Sequence, residues 1–580
     1  MIEKLLDTIE IERADDIPLL WEQMKRMGVI RLFDKHFPQH SNWEGELTPG
    51  EVIACWSCCI LSCGNHRVSH VQKWAEQRLH LLEALTGKGV RALDFSDDRL
   101  ASLLAQMGNR ARWQPFEQEF SGGLLRVYDL SAETVRLDAT TAKTYAGVSE
   151  GGLFQYGHSK DHRSDLAQVK ISMSTLDPLG LTVSTCVVAG NSADDPLYEP
   201  EITRVRETIG KRGLLYVGDK KMAALETRAF IVGGGDFYLC PLGLKQLSES
   251  EREVLIEGFF ARQHEGQIVN KEETDKPIGI GFEITVLRAS SFTGGNRAAW
   301  TERIMAFSSF ERAQSDAKKL DEAIENAQSE LLKLNERKQG KKCLDGEQTV
   351  KACAQIIKRL RLEGILNFSL ETQVVEREVR AWGDRPARTE REEQHEVKFS
   401  LDQEALRKRR QQLGWSFYAT NHNRDQLSLG RAILAYRGQY TIEQGFGRFK
   451  GRRLGLLPLF FKIDLHVVGL IHLLVIGLRL LSLVQYLARR KLAEAVLETE
   501  RQIKGLYAGQ ASRVTTQPTT ELMLDAFEGV NLKIGKNEKG QTIAALTPLN
   551  GVQKRILDLL GFSQEIYLRL ATYFQNLAPE

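Results

Sequence analysis

The chain has 580 residues, of which 42% are hydrophobic and 27% are charged, and its formal net charge is +2. This length predicts three or four folding units, and the composition is that of an ordinary globular protein, which excludes a small binding module. A net charge this small gives no indication of a nucleic-acid partner by itself. The acidic stretch over 1–16 lacks a long apolar core, which argues against a secretory signal and favours the cytoplasm.

Residues 1–120 are predicted to form an all-α domain. Apolar residues recur at helical spacing between Ile17 and Phe37, and Thr48 followed by Pro49 marks the start of another helix. Ser96 is predicted to cap a further helix.

A group of cysteines lies in the helix that starts at Thr48 and is followed by two histidines, and two interpretations stay open. Either these side chains form a zinc site, or cysteine acts as a small hydrophobe in an apolar helix. The continuous apolar run favours the second interpretation. The group consists of Cys55, Cys58, Cys59, Cys63, His66 and His70.

The pattern changes to strands at about residue 130, and a first part of a core is predicted over 130–244. β-branched runs predict one strand around Asp138 and two more before residue 190, and another apolar strand ends at Asp219. A helix over 197–209 separates the third strand from the fourth. This order is typical of an RNase H-like core, a mixed sheet flanked by helices.

Asp138 and Asp219 are the candidate acids of this sheet. Each is predicted to terminate its strand, where a carboxylate projects from a rigid scaffold into a crevice. A single acid at such a place is also typical of a turn. Asp194 and Asp236 are alternatives for the second acid, although neither ends so clear a strand.

Residues 245–412 are predicted to form an α+β insertion that divides the core. A charged helix over 312–338 and another over 350–364 are predicted to pack as a plain pair, with a short coiled-coil hairpin as the alternative. The hydrophilic stretch over 380–395 is predicted to be a loop.

The second part of the core is predicted over 413–495, and it contains a helix with a polar stripe. A single helix over 435–457 aligns a tyrosine, a glutamine, a glutamate and a lysine along one face, followed by two arginines. Such a stripe suits a divalent cation held beside a phosphate backbone, and a solvated charged face is the alternative. The residues are Tyr436, Gln439, Glu443, Lys450, Arg452 and Arg453.

The most hydrophobic stretch, over 467–488, is predicted to be a buried core helix and not a membrane span. His472 and Arg479 lie inside it, and a charge near a bilayer centre costs at least about 2.5 kcal/mol. A tail over 496–580 is predicted to contain two strands and a closing helix.

Several stretches resemble DDE transposases of bacterial insertion sequences. Tyr436, Glu443 and Lys450 match the Y-x2-R-x3-E-x6-K signature of that family, but Gln439 stands where the signature has arginine, and an arginine is displaced to Arg437. Similar stretches also occur along the rest of the chain. They are LTPGEV at 47–52, GHSKDHRSDLAQVKISM at 157–173, GWSFYATN at 414–421 and LYAGQASRVTTQPTTELMLDAFEGV at 506–530.

This resemblance implies an RNase H-like core in which Asp138, Asp219 and Glu443 are catalytic. The three carboxylates are expected to hold two Mg²⁺ ions, with Mn²⁺ as a substitute, for hydrolysis at transposon ends and strand transfer into target DNA. Contacts to DNA are expected from Tyr436, Arg437, Lys450, Arg452, Arg453, His158 and Lys160.

The resemblance also sets the expected partners. They are DNA, as terminal inverted repeats bound by residues 1–120 and as target DNA, and a second copy of the chain in a homodimer. A cytoplasmic, nucleoid-associated protein without a membrane partner is expected. The alternative is a decayed transposase that still binds DNA but has lost its chemistry, and Gln439 motivates it.

Overall fold

The computed structural model describes residues 9–157, 163, 165–271, 274–336, 344–379, 383, 386, 388–536 and 542–575. The chain forms two compact units. One consists of Met1–Cys240, Ala289–Trp300 and Ala435–Glu580, and the other of Pro241–Arg288 and Thr301–Leu434. The five predicted domain ranges stay predictions.

Helices dominate the N-terminal part of the first unit. Thr48 caps the third helix as predicted: its hydroxyl accepts a hydrogen bond from the Glu51 amide at 3.2 Å, and the Glu51 carboxylate accepts one from the Thr48 amide at 2.7 Å. Ser96 occupies a cap position without a side-chain hydrogen bond to the helix. The elements are β1 (Glu10–Arg13), α1 (Ile17–Met27), α2 (Val29–His36), α3 (Pro49–Cys63), α4 (Val68–Glu76), α5 (Leu79–Thr86), α6 (Asp97–Gly108) and α7 (Arg110–Val127).

A mixed sheet follows, and it confirms the predicted mixed α/β fold class. In this unit the strand order is β4-β3-β2-β5-β6. Strands β2, β3 and β4 are antiparallel, whereas β5 runs parallel to β2 and to β6, which is the RNase H-like arrangement. The elements are β2 (Thr134–Thr144), β3 (Ala167–Leu176), β4 (Leu181–Ala189), α8 (Tyr198–Ile209), β5 (Leu215–Val217), α9 (Leu225–Gly233) and β6 (Phe237–Pro241).

In the second unit, a pair of helices packs on a long hairpin. Leu331, Cys353 and Val397 lie in one buried apolar cluster that joins the two helices to the hairpin, in agreement with plain helix packing. The elements that lie wholly or mostly in this unit are α10 (Glu249–Phe260), β7 (Gln267–Asn270), β8 (Pro277–Ser291), β9 (Arg297–Ser309), α11 (Phe310–Leu334), α12 (Gly346–Arg359), β10 (Leu366–Val379), β11 (Arg388–Leu401), α13 (Gln403–Gln411) and β12 (Trp415–Thr420).

The predicted loop over 380–395 is wrong from Arg388 onward. Strand β11 begins there and pairs with β10 along its whole length, from Val379 opposite Arg388 to Leu366 opposite Leu401. Hydrogen bonds between the two strands satisfy the backbone of this hairpin, while many of its side chains stay in water. The first residues of β11 therefore need no apolar face.

The C-terminal part belongs mostly to the first unit. Its two predicted strands, β15 and β16, pair with each other, and the N-terminal β1 adds a third strand that the sequence did not predict. The elements are α14 (Leu429–Arg437), α15 (Tyr440–Lys450), α16 (Asp464–Glu494), β13 (Ile503–Lys504), β14 (Val514–Thr515), α17 (Thr520–Asp525), β15 (Asn531–Lys536), β16 (Thr542–Leu546), α18 (Gly551–Leu559) and α19 (Glu565–Gln575).

Helix α16 is the long apolar helix, and its burial confirms the predicted core helix. Among the described helices it alone has the length and hydropathy to cross a membrane, and 94% of its most apolar window is buried inside the protein. His472 stacks on Trp113 with ring centroids 4.0 Å apart. Arg479 is fully buried and pairs with Glu117 of α7 at 2.5 Å.

Candidate catalytic site

Asp138 and Asp219 lie at the same level of two neighbouring strands. Strand β5 runs parallel to β2, and their last paired residues are Arg136 and Val217. Asp138 lies two residues beyond this pair on β2, and Asp219 lies two residues beyond it on the chain that leaves β5. Because parallel strands keep their residues in step, the two acids meet where β5 ends and β2 continues.

The predicted position of Asp138 at a strand end is wrong in detail. Strand β2 continues to Thr144, where it still pairs with Ala167 of β3 on the other side, so Asp138 lies inside the strand. Asp219 does follow the end of β5, as predicted. The crevice therefore arises from the short β5 and not from an end of β2.

Tyr198, the first residue of α8, holds one oxygen of Asp219. Its hydroxyl donates a hydrogen bond to Asp219 Oδ1 at 2.6 Å, and the Lys221 amide donates to the same oxygen at 2.8 Å. Burial, followed by the charge of Asp219, raises the pKa of Tyr198 well above its usual value. The hydroxyl therefore stays protonated at neutral pH and keeps donating to the carboxylate.

A small cavity opens beside these groups, with a volume of about 40 Å³. A single water needs roughly 10–15 Å³, so the cavity has room for a small ion with a few waters. Asp194 also lines it, and Lys170 donates to Asp194 at 2.7 Å. The lining residues are Leu137, Asp138, Ala139, Ser172, Asp194, Leu197, Tyr198, Glu201 and Asp219.

The predicted single helix over 435–457 is wrong, because the structure has two helices there. Helix α14 ends at Arg437, and α15 runs from Tyr440 to Lys450. A Cβ atom on Gly438 would overlap Nη2 of Arg136, which is itself buried and pairs with Asp177 at 2.6 Å. Gly438, which makes this close approach to β2, lies between the two helices, and Tyr436 and Glu443 therefore do not share one helix.

Glu443 lies on α15, which packs against β2, the strand that carries Asp138. Its side chain is exposed, and within the described part of the chain it is not among the residues that line the cavity. The structure thus brings Asp138 and Asp219 together and places the third acid on an adjacent helix. A metal shared by all three acids stays a prediction.

The predicted DNA-contacting residues have different environments. Arg437 and Arg452 are exposed, and Tyr436 and Lys450 are partly buried. His158 and Lys160 lie outside the described residues.

Arg453 is occupied by contacts within the protein. Its guanidinium donates to Asp16 at 3.1 Å and to the Leu61 carbonyl at 2.8 Å, and it also pairs with Asp525. A contact between Arg453 and phosphate would compete with these partners.

Three polar residues that line the cavity, Ser172, Tyr198 and Glu201, were not singled out from the sequence, and neither was Lys170, which bonds to the lining residue Asp194. Tyr198 begins the helix predicted over 197–209, but no spacing relates it to Asp219 before the fold is known. Lys170 lies in one of the predicted strands, where the alternation of Gln168 and Lys170 with Val169 and Ile171 was the available signal.

The cavity suits a hard divalent cation. Asp138, Asp194 and Asp219 supply carboxylate oxygens, which Mg²⁺ prefers, whereas no cysteine or histidine lines the cavity among the described residues. Asp138 Oδ1 accepts a hydrogen bond from the Ala139 amide at 2.8 Å, which orients that carboxylate. The donor set of the cavity therefore fits the magnesium expected from the sequence.

Comparisons with known proteins give limited matches. The family model described as "Domain of unknown function (DUF4277)" matches residues 9–116. No curated protein matches the chain. A solved structure, the cryo-EM structure of a piggyBac transposase synaptic complex with hairpin DNA, is similar over 52% of this chain and 61% of that chain, less than two thirds of its length. The identity is 10% and the TM-score is 0.23, so this similarity carries no argument about function.

Proposed function

We propose that this chain is a DDE-type transposase of a bacterial insertion sequence, which cleaves the ends of its element and joins them to target DNA. The observation that carries the proposal is the meeting of Asp138 and Asp219 at one cavity in the first unit. These two acids are the ones that the sequence resemblance assigns to catalysis. Their convergence, together with the Glu443 and Lys450 signature, supports phosphoryl transfer.

Asp138 and Asp219 would hold the Mg²⁺ ions, with Glu443 of α15 as the third ligand. Bound magnesium supplies an activated oxygen nucleophile and stabilises the departing oxygen of a phosphodiester. Within the protein, Tyr198 fixes the Asp219 carboxylate, and the Ala139 amide fixes that of Asp138. Preorganised carboxylates favour metal binding because little ordering remains to be done when the ion arrives.

The DNA backbone would run along α15 and the segment after it. In this proposal Lys450 and Arg452 would contact phosphate, together with Arg437 at the end of the preceding helix. Tyr436 is a candidate for stacking on a base. A homodimer that holds two element ends, in the cytoplasm and associated with the nucleoid, belongs to the same proposal.

The test uses the full chain and a duplex that carries the inverted repeats flanking the gene. With Mg²⁺ the wild-type protein should cleave at the element end and leave a 3′-hydroxyl. Asp138→Asn, Asp219→Asn and Glu443→Gln should each lose cleavage while retaining DNA binding. Asp195→Asn is the matched control, because Asp195 is exposed and is not among the cavity-lining residues. Cleavage retained by all three variants would contradict the proposal.

A decayed transposase that only binds DNA is the second candidate, and Gln439 favours it. The residue stands where the family signature has an arginine, and both its amide oxygen and its amide nitrogen are buried without a hydrogen-bond partner among the described residues. It offers no cation to DNA. Tight binding to the element ends, without cleavage in either Mg²⁺ or Mn²⁺, would support this candidate over an active enzyme.

A further inference from the structure

The cysteines of helix α3 fall into two kinds of environment. Cys55 and Cys58 are fully buried on the apolar helix and act as small hydrophobic residues, as favoured from the sequence. Cys63 is exposed at the last turn of the same helix, where a thiol gains nothing from apolar packing. Cys59 lies one turn before Cys63, so the two side chains are on the same face of the helix.

The turn after α3 brings a histidine to this face. Gly64 ends the helix in the left-handed conformation, with φ of 65°, and helix α4 begins at Val68. His70 therefore lies in the first turn of α4. One ligand atom from each of Cys59, Cys63 and His70 lies within 4.8 Å of the other two.

We propose that Cys59, Cys63 and His70 form a zinc site that clips the end of α3 to the start of α4. Ligands of a tetrahedral zinc ion are separated by roughly 3.5–3.8 Å, so movements of about an ångström would close the three side chains around the ion. Two sulfurs and one imidazole nitrogen form a soft donor set, which selects zinc over magnesium. The exposure of Cys63 leaves the fourth position open to water.

The charges around the site are compatible with zinc. Two thiolates balance the charge of the ion, and Arg78 lies near both sulfurs. The Arg78 guanidinium also donates to the Trp74 carbonyl at 3.1 Å and lies over the Trp74 ring, 5.1 Å from its centroid.

The zinc site would stabilise the α3–α4 turn, which packs against the segment after α15. A Cβ atom on Gly64 would overlap the Arg452 carbonyl oxygen, and the Leu61 carbonyl accepts a hydrogen bond from Arg453 at 2.8 Å. His66, between the two helices, packs against Phe460 with ring centroids 5.9 Å apart. A fixed α3–α4 turn therefore supports the segment that follows Lys450. The zinc site is independent of the proposed catalysis.

The experiment measures metal in the full-length protein purified without chelator or added metal. Wild type is expected to contain about one zinc ion per chain, and Cys59→Ser, Cys63→Ser and His70→Ala are each expected to lose it. Cys55→Ser and Cys58→Ser, in the same helix, should keep it. Asp219→Asn should keep it as well, which separates this site from the carboxylate cavity.

Cobalt provides a second readout that does not depend on the purification. The chelator-treated wild type should show the charge-transfer absorption of a cobalt–thiolate bond on addition of Co²⁺, and Cys63→Ser should lose it. Because Cys63 is exposed, that variant should keep the circular dichroism spectrum of the wild type. A wild type without zinc and without this absorption, a Cys59–Cys63 disulfide in place of the metal, or zinc retained by Cys63→Ser would overturn the proposal.

Discussion

Two polar clusters in the first unit contain buried or partly buried acids, and they are built differently. Glu117 faces a cation, because Arg479 donates to it at 2.5 Å and also donates to the Thr182 carbonyl at 2.9 Å. Asp219, by contrast, receives its hydrogen bonds from neutral donors, the Tyr198 hydroxyl and the Lys221 amide. A further acid, Asp138, lines the same cavity as Asp219.

The type of donor, a cation for Glu117 and neutral groups for Asp219, distinguishes a structural ion pair from a candidate ion site. In the first cluster, one carboxylate and one guanidinium cancel, and the Thr185 amide donates to the second Glu117 oxygen at 3.1 Å. In the second, three aspartates line a cavity that has room for an ion, and Lys170 pairs with one of them, Asp194. Several carboxylates brought together in a protein core lower its stability, because like charges repel and lose their hydration. A bound cation offsets this loss. One lysine beside three aspartates leaves the second cluster with an excess of acids, which suits a bound cation.

The largest expected effect comes from removing the cation of the structural pair. Arg479→Met leaves Glu117 as an uncompensated buried acid, and we expect the free energy of unfolding to fall by about 3–5 kcal/mol. Urea unfolding followed by circular dichroism measures this loss. Asp219→Asn, in the other cluster, should leave stability unchanged or slightly higher, because it removes one of several like charges.

The loss of stability in Arg479→Met should become larger as the pH rises. Burial already raises the pKa of Glu117, and Arg479 opposes that shift, so its removal raises the folded-state pKa further. An acid whose folded pKa lies above its unfolded pKa takes up a proton on folding, so stability falls as pH rises through that interval. The defect should be smaller at about pH 5 than at about pH 8. The double variant Glu117→Leu/Arg479→Met should recover most of the stability, and a double variant as unstable as the single one would contradict the charge argument.

Some features of the acid cavity and of the Glu117–Arg479 pair could be predicted from the sequence. Strand patterns around Asp138 and before Asp219 predicted that each acid would lie at a strand end, because hydrophobic periodicity is a local signal. That the two acids share one site was implied by the family resemblance. The burial of α16 followed from His472 and Arg479 inside an apolar run. The partner of Arg479 did not, since Glu117 lies in a helix far away in the sequence.

The features that were predicted wrongly or missed leave no trace in the spacing of apolar residues. At the break between α14 and α15, Gly438 packs closely on Arg136, about 300 positions earlier, and helical spacing alone extended one helix through it. Strand β11 was missed because its N-terminal part is charged and lacks the alternation of a half-buried strand. Tyr198 was missed because a hydrogen bond to Asp219 leaves no trace in spacing.

An intermediate effect is expected from Tyr198→Phe, which removes one neutral donor from the acid cavity. Asp219 keeps the Lys221 amide but loses the group that fixes its carboxylate on the cavity side. We expect magnesium-dependent cleavage to fall about 10–100-fold, as for other groups that orient metal ligands, with only about 1 kcal/mol lost from stability. The concentration of Mg²⁺ required for half-maximal cleavage should rise.

Tyr128→Phe is the matched control for this variant. Tyr128 is buried, and its hydroxyl accepts a hydrogen bond from Gln23 at 3.0 Å, but it does not line the cavity. It should lose a similar amount of stability without a change in the magnesium requirement. Equal loss of cleavage in both variants would show that Tyr198 acts through stability alone.

The smallest effect is expected from Gly438→Ala, which tests whether the Arg136–Asp177 ion pair holds strand β2 in place. Gly438 touches Arg136 of the Arg136–Asp177 pair, two residues before Asp138 on β2. Gly438→Ala should lower the free energy of unfolding by about 1–3 kcal/mol, because the added methyl group forces the pinned guanidinium to move. Gly445→Ala, on α15 with open space around its Cβ position, should instead raise it by about 0.5–1 kcal/mol, since alanine favours a helix over glycine. Thermal unfolding of the two variants measures both signs. A stabilising Gly438→Ala would mean that the pair is free to shift and does not hold β2 in place.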